Sequence, residues 1–330
     1  MKLTLLALAA TGILLLARSP DAHAASRYVD EVFETVDVTP DIPYGEAIDE
    51  FGQPETLLLD LYQPAGDALP ERPVVVFVHG GSFTGGNKAS AINVDYVTQL
   101  AKRGFVAASI SYRLREGGYE PEEEAQVVFD AKHDAQAAVR WFRANASTYD
   151  IDADRISIAG YSAGAVTALF AGYIANDPGE SGNPGYPSDV SAIVDVSGTM
   201  GGFADAVIDP GEPPALIVHG TVDATVPYSD ATELVAALEA DGVPYELHTL
   251  TGVGHGKFGL LTDDIAEWSG VFIHNHVIAE GGGGAVGGVT ELALQSATSG
   301  GGSSRWWIAG TLAVATVVLA SLACYRRARV

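Results

Sequence analysis

Cysteine and basic residues are the scarce residue types in this chain of 330 residues. The only cysteine, Cys324, lies close to the C-terminus, so the chain has no intrachain disulfide and no set of cysteines that could bind zinc. Lysine and arginine total 18 against 42 aspartates and glutamates, which gives a formal net charge of −24. This charge disfavours nucleic acid as a partner, because phosphates bind to basic surfaces.

Each end of the chain carries a long uncharged apolar run. At the N-terminus, Lys2 precedes an apolar segment over 3–17, and the run Ala-His-Ala at 22–24 is typical of a cleavage site. The apolar segment is short for a membrane span. We therefore expect residues 1–24 to be a signal peptide that directs secretion, with an uncleaved anchor as the alternative.

The C-terminal run over 306–325 carries no charge and would span about 30 Å as an α-helix, enough to cross a bilayer. A Gly/Ser-rich linker over 281–305 precedes it, and a basic tail over 326–330 follows. The positive-inside rule then predicts a cytoplasmic tail and a preceding domain on the outer cell surface. The three segments also resemble bacterial C-terminal sorting signals, so a retained anchor and cleavage by a processing protease both remain open.

The segment over 25–280 is predicted to form one domain. Apolar strands and helical segments alternate from Pro73 onward, which is typical of an α/β fold with a mostly parallel sheet and helices on both faces. An earlier strand over 56–62 is predicted to lie antiparallel at the sheet edge. The spacing of these elements leaves no room for a large cap domain.

The pentapeptide Gly160-Tyr161-Ser162-Ala163-Gly164 is the strongest indication of chemistry. A β-prone run precedes it and a helical run follows, and strand, tight turn and helix are the setting of a nucleophile elbow. Such a turn exposes the serine hydroxyl near a helix N-terminus, where backbone N–H groups favour developing negative charge. We therefore predict that Ser162 is a nucleophile.

Further polar residues follow buried strands downstream. Asp223 lies in the loop after the apolar run over 215–220, and His255 lies in the loop after the strand-like run over 245–250. A serine nucleophile needs a base such as imidazole, and a carboxylate that orients the imidazole. The chain order Ser162, Asp223, His255 is that of α/β-hydrolases and differs from the two common protease orders.

Two other aspartates compete with Asp223 for the acid role. Asp195 lies within an apolar strand one strand too early, and Asp230 lies where a helix is expected to begin, which suggests capping. Among the histidines, His274 and His276 lack the cysteines or carboxylates that usually accompany a metal. We expect neither a metal nor a cofactor.

The chain resembles the α/β-hydrolase superfamily, specifically its small carboxylesterases and feruloyl-esterase-like members, over about 31–280. The run His79-Gly80-Gly81-Ser82 after a buried strand resembles the oxyanion loop of lipases and esterases. The resemblance implies that the amides of Gly81, Ser82 and Ala163 form the oxyanion hole. Two residues depart from the hormone-sensitive-lipase pattern: Ser82 replaces a third glycine, and Tyr161 replaces an aspartate.

The resemblance implies a serine hydrolase that cleaves small-molecule carboxylic esters, and the termini suggest that it is secreted and tethered to the membrane. Two alternatives remain open at this point. A serine peptidase or amidase shares the elbow and triad, although prolyl-oligopeptidase-type enzymes normally carry an additional large domain. A non-catalytic binding protein on the same fold would normally lack triad residues, and this chain keeps all three.

Overall fold

The computed structural model describes residues 26–115, 117–279 and 287–293. Within these ranges the strands are β1 (Val36–Ile48), β2 (Pro54–Pro64), β3 (Arg72–Val78), β4 (Val106–Ile110), β5 (Ile151–Tyr161), β6 (Ile193–Val196), β7 (Ala215–Gly220), β8 (Tyr245–Thr251) and β9 (Gly288–Ala293). The α-helices are α1 (Ala91–Lys102), α2 (Glu124–Ala144), α3 (Ala146–Tyr149), α4 (Ala163–Tyr173), α5 (Ala204–Val207), α6 (Tyr228–Asp241) and α7 (Thr262–Ile273). Short 3₁₀ segments cover Pro121–Glu123 and His255–Leu260, and a π-helical turn covers His274–Ile278.

The described strands form one sheet in the order β1-β2-β4-β3-β5-β6-β7-β8-β9. Only the pairings of β1 with β2 and of β2 with β4 are antiparallel, and every other neighbouring pair is parallel. The mostly parallel α/β fold predicted from the sequence is confirmed. The early strand predicted over 56–62 is β2, which lies one strand in from the edge because β1 covers it.

Helices cover both faces of the sheet, which explains the continuous apolar runs of its central strands. In β3, Val74, Val76 and Val78 belong to the apolar cluster that includes residues of α2, α4 and α6. Val75 and Phe77 belong to the cluster on the other face, which includes residues of α1 and α7. Successive side chains of a strand point to opposite faces, so both sets must be apolar when both faces are buried. All seven residues of β3 are buried.

The ninth strand corrects the predicted boundary between domain and linker. Residues 288–293, assigned from composition to the Gly/Ser-rich linker over 281–305, pair in parallel with β8 from Glu246 to Thr251. The run Val289-Thr290-Glu291-Leu292 has strand-forming residues, and its pairing gives the backbone groups of β8 a partner on that side. The domain therefore does not end at 280, because the sheet continues to Ala293.

The predicted signal peptide over 1–24, the membrane helix over 306–325 and the tail over 326–330 lie outside the described residues. Among the helices that the structure describes, none has both the length and the hydropathy needed to cross a bilayer.

The parallel strands position the predicted site residues at one edge of the sheet. The loops that follow β3, β5, β7 and β8 carry the His79–Ser82 loop, Ser162, Asp223 and His255. Carboxyl ends of neighbouring parallel strands meet at the same edge, where ligands bind in open α/β sheets.

Candidate active site

The turn between β5 and α4 holds Ser162 in a strained backbone conformation. Its φ is 56° and its ψ is −123°, which is uncommon for a residue with a side chain. A Cβ on Gly160 would collide with the carbonyl of Gly164, and a Cβ on Gly164 would collide with the carbonyl of Val78. Close backbone approach therefore requires both glycines of the pentapeptide, and the turn presents the serine at the start of α4.

The Ser162 hydroxyl and the His255 imidazole are in direct contact. The distance from Ser162 Oγ to His255 Nε2 is 2.8 Å, and His255 Nδ1 lies 2.7 Å from Asp223 Oδ2. A carboxylate only accepts, so Nδ1 carries the proton and donates to Asp223. Nε2 is then free to accept the hydrogen bond from the serine hydroxyl. The structure thus brings together the three residues predicted as a triad.

The Asp223 carboxylate is held on both of its oxygens. Oδ1 accepts hydrogen bonds from the amides of Thr225 at 2.8 Å and Val226 at 2.9 Å, while Oδ2 accepts from His255. Burial disfavours the charged form of Asp223, but the bonds from His255 and the two amides outweigh burial and lower the pKa of the carboxyl. Asp223 is therefore ionised at neutral pH and can orient and charge-stabilise the imidazole.

The loop after β3 packs directly against the elbow. A Cβ on Gly80 would lie 3.2 Å from Ser162 Cβ, and one on Gly81 would collide with the carbonyl of Gly85. Gly81, Ser82 and Phe83 all have positive φ, at 130°, 53° and 60°. This run of left-handed backbone turns the loop sharply beside the serine.

Three backbone amides near Ser162 are available to a ligand. Within the described part of the chain, the N–H groups of Gly81, Ser82 and Ala163 donate no hydrogen bond to another protein atom. Ala163 is the first residue of α4, so its amide has no partner inside the helix. These are the three amides that the resemblance assigns to an oxyanion hole.

The side chains of His79 and Tyr112 donate hydrogen bonds to backbone carbonyls of this loop. His79 Nδ1 donates to the carbonyl of Gly80 at 2.8 Å, and Tyr112 Oη donates to the carbonyl of His79 at 3.0 Å. The two rings stack with centroids 4.5 Å apart. Burial lowers the pKa of His79, so its ring is neutral and serves as a fixed hydrogen-bond donor to the loop.

The two rival aspartates do not contact His255. Asp195 is buried on β6, and its Oδ1 accepts a hydrogen bond from the amide of Gly198 at 2.8 Å. Burial raises the pKa of its carboxyl to about 6. Asp230 lies in the first turn of α6 and does not cap it, because the helix begins at Tyr228 after Pro227. The strand count that favoured Asp223 agrees with the observed geometry.

Two side chains beside the triad were not singled out as site residues from the sequence. Tyr161 Oη donates to the carbonyl oxygen of His255 at 2.6 Å. His219, at the end of β7, lies beside Asp223. The one signal for His219 was a polar residue at the end of an otherwise apolar strand, four positions before the candidate acid. The signal for Tyr161 was its departure from the family pattern.

The remaining histidines are not brought into a metal-binding group. His276 Nε2 lies 3.8 Å from Glu246 Oε1, and His274 Nδ1 lies 3.4 Å from Asn275 Oδ1. Among the described residues, no group of three or more histidine, cysteine, aspartate or glutamate side chains is arranged to hold a metal ion.

Two family models match consecutive parts of the chain. The BD-FAE model matches residues 59–201, which include the His79–Ser82 loop and the elbow. The prolyl oligopeptidase family model matches residues 203–267, which include Asp223 and His255. Each of the two models thus covers a different half of the candidate site.

Relatives with similar sequences include esterases of Mycobacterium tuberculosis. Esterase LipC is 28% identical over 250 residues, covering 64% of this chain and 59% of LipC. Esterase LipQ is 33% identical over 186 residues, covering 56% of this chain and 38% of LipQ. The chain therefore spans less than two thirds of the length of either relative.

Solved structures with the same fold include a thermophilic esterase of Thermogutta terrifontis. Its native form aligns with a TM-score of 0.63 at 23% identity, covering 78% of this chain and 98% of the esterase. A truncated carbohydrate esterase from gut microbiota aligns with a TM-score of 0.60 at 21% identity, covering 75% of this chain and 98% of that protein. By its sheet and its elbow the chain has the α/β-hydrolase fold, and its sequence is similar to carboxylesterase-like members of that superfamily.

Proposed function

We propose that this protein is a serine hydrolase that cleaves small carboxylic esters through an acyl-enzyme. The observation that carries the proposal is the continuous hydrogen-bond chain from Ser162 Oγ through His255 to Asp223. The esterases among its relatives support the same substrate class. Forms of the Thermogutta terrifontis esterase phosphorylated by paraoxon also support the use of organophosphorus probes as a test.

In the proposed reaction, Ser162 Oγ attacks the ester carbonyl carbon as His255 Nε2 accepts the hydroxyl proton. The imidazolium is stabilised by the Asp223 carboxylate. The carbonyl oxygen becomes an oxyanion that accepts hydrogen bonds from the amides of Gly81, Ser82 and Ala163, each worth about 3 to 4 kcal/mol in such sites.

Collapse of this intermediate breaks the bond to the alcohol oxygen, which takes its proton from His255 Nε2. The acyl group remains on Ser162. Water then attacks the acyl carbon while His255 again accepts a proton, and a second tetrahedral intermediate releases the carboxylic acid and regenerates the serine hydroxyl. The strained elbow and the fixed amides hold these groups in place before the substrate binds.

A peptidase or amidase is the second proposed function, because the prolyl oligopeptidase family model matches the part of the chain that carries Asp223 and His255. The same nucleophile and oxyanion donors suit an amide, whose nitrogen must be protonated by His255 to leave. Comparison of a p-nitrophenyl ester with the p-nitroanilide of the same acyl group separates the two. An activated ester reacts faster than the anilide with either kind of enzyme, so the discriminating readout is the anilide itself. The ester proposal predicts no measurable anilide hydrolysis, and anilide turnover that Ser162→Ala abolishes contradicts it in favour of the peptidase or amidase.

A panel of p-nitrophenyl esters from acetate to palmitate tests the proposed substrate class directly. We expect turnover by the wild-type protein and none by Ser162→Ala. A protein that binds these esters without hydrolysing them, or that hydrolyses them equally with Ala at 162, contradicts the proposal. A non-catalytic binding protein corresponds to the first of these outcomes.

We also propose that the hydrolase is secreted and tethered to the outer cell surface. The apolar segment and small-residue run before 25, the uncharged run over 306–325 and the three arginines after it support this location. Intact-mass analysis of the protein from its host tests it. Loss of residues 1–24 with retention of 326–330 fits a membrane anchor, loss of both ends fits a processing protease, and an uncleaved N-terminus contradicts the proposed signal peptide.

A further inference from the structure

The imidazole of His255 stands at the end of a column of aromatic rings. Tyr161 stacks on His255 with ring centroids 5.4 Å apart and an interplanar angle of 30°. On its other side Tyr161 stacks on Phe258 at 4.7 Å and 16°, and Phe258 stacks on Phe77 at 6.0 Å and 13°. Phe77 and Phe258 are buried, so the stacked rings extend from the imidazole of His255 into the hydrophobic core.

The hydroxyl of Tyr161 adds a second link to the same residue. Tyr161 Oη donates to the carbonyl oxygen of His255 at 2.6 Å, across a sequence separation of 94 residues. Burial raises the pKa of Tyr161 to about 12, so the hydroxyl keeps its proton and remains a donor at neutral pH. Tyr161 is also the residue directly before Ser162, so one side chain ties the loop of His255 to the elbow.

We propose that Tyr161 is a positioning residue for His255: its hydroxyl fixes the loop of the base, and its ring face stabilises the imidazolium formed during ester cleavage. A cation within about 6 Å of an aromatic centroid is attracted to the ring. The ring therefore stabilises His255 more when it is protonated than when it is neutral. The inference rests on the proposed function, because it concerns the base of that reaction.

Two substitutions separate the roles of the hydroxyl and the ring. Tyr161→Phe removes the hydroxyl and keeps the stack, whereas Tyr161→Leu removes both. In Tyr161→Phe we expect kcat to fall about tenfold with little change in KM, since one hydrogen bond that aligns the base is lost. The acidic limb of its pH profile of kcat/KM should stay where it is in the wild type.

In Tyr161→Leu we expect kcat to fall about a hundredfold, because both the hydrogen bond and the ring contact are lost. The acidic limb of the profile should also move to lower pH by about half a unit, because the protonated base has lost a stabilising contact. A merely structural role would lower stability without moving this limb. The pH profile is therefore the diagnostic readout.

The matched control is Tyr245→Phe. Tyr245 is the first residue of β8 and donates its hydroxyl to the Glu239 carboxylate on α6, away from the elbow. We expect wild-type kcat and an unchanged pH profile for this variant. Thermal unfolding of all three variants identifies any loss of fold. If Tyr161→Leu does not fold, Tyr161→Phe still tests the hydroxyl link on its own.

Wild-type kcat in Tyr161→Phe, or a Tyr161→Leu profile whose acidic limb has not moved, overturns the proposal. These outcomes are distinct from failure of the proposed function, in which the wild-type protein itself would not hydrolyse any ester of the panel.

Discussion

His219 Nε2 lies 3.7 Å from Asp223 Oδ2, and both side chains are fully buried. The same nitrogen donates to the carbonyl of Val226 at 3.0 Å. The loop that supplies amides to Asp223 is therefore also fixed from inside the protein, at the end of β7. The N–H of His219 additionally presents positive charge density to the carboxylate.

We predict that His219→Leu lowers kcat about tenfold, because the positive charge density beside Asp223 is lost and its loop loses the hydrogen bond to the Val226 carbonyl. His219→Gln, which can return an N–H group near Nε2, should recover most of the activity. Steady-state kinetics of the two variants is the measurement. His248→Leu, a buried histidine opposite Val218 on the adjacent strand, is the control and should behave as wild type. Equal kinetics for His219→Leu and wild type would refute the role.

Replacement of the acid separates Asp223 from its rival. Asp223→Asn should lower kcat by about four orders of magnitude, since the amide favours the wrong tautomer of His255. Asp195→Asn keeps an oxygen that can accept from Gly198 and should retain wild-type kcat. Kinetics on one ester for both variants is sufficient. If Asp195→Asn is the inactive variant, the assignment of the acid is wrong.

Asp195 should instead control how stability depends on pH. Burial raises the pKa of its carboxyl to about 6, against the opposing influence of His219 and the amide of Gly198. The folded state therefore holds this proton more tightly than the unfolded state, and stability is lost as pH rises from about 4 to 6. We expect Asp195→Asn to be more stable than wild type by about 2 kcal/mol at pH 8 and equally stable at pH 3.5. Urea unfolding at the two pH values tests this, and a gain of the same size at both would contradict it.

The extent of the catalytic domain is tested by two truncations. A chain that ends at Ala293 keeps β9 and should be soluble and active. A chain that ends at Glu280 exposes the backbone of β8 at the sheet edge, so we expect it to unfold several degrees lower and to aggregate. Thermal unfolding and light scattering compare them. If the two truncated chains unfold at the same temperature and neither aggregates, the domain boundary at 280 would be correct.

Much of the site could be predicted because each of its main residues lies in the loop that follows an apolar strand in the sequence. Ser162, Asp223 and His255 are found in this way, and the α/β alternation predicts that their loops share one edge of the sheet. The glycines of the elbow are likewise predictable, since local backbone approach requires them.

What the sequence could not predict depends on side-chain direction over long separations. The hydroxyl of Tyr161 donates to the backbone carbonyl of His255, 94 residues further along the chain. Nothing near Tyr161 in the sequence indicates that partner. Strand β9 was missed for a different reason. The glycines around it dominate the composition of the segment, whereas pairing with β8 decides its structure.

Labelling by a fluorophosphonate probe tests the central claim most directly, because such probes react with activated serine nucleophiles. We expect one adduct per molecule, located by peptide mass spectrometry on Ser162 and absent from Ser162→Ala. Ser157→Ala, which alters a buried serine of β5, the strand that ends just before Ser162, should label like the wild type. Labelling that persists in Ser162→Ala, or a folded wild-type protein that is never labelled, would contradict the account.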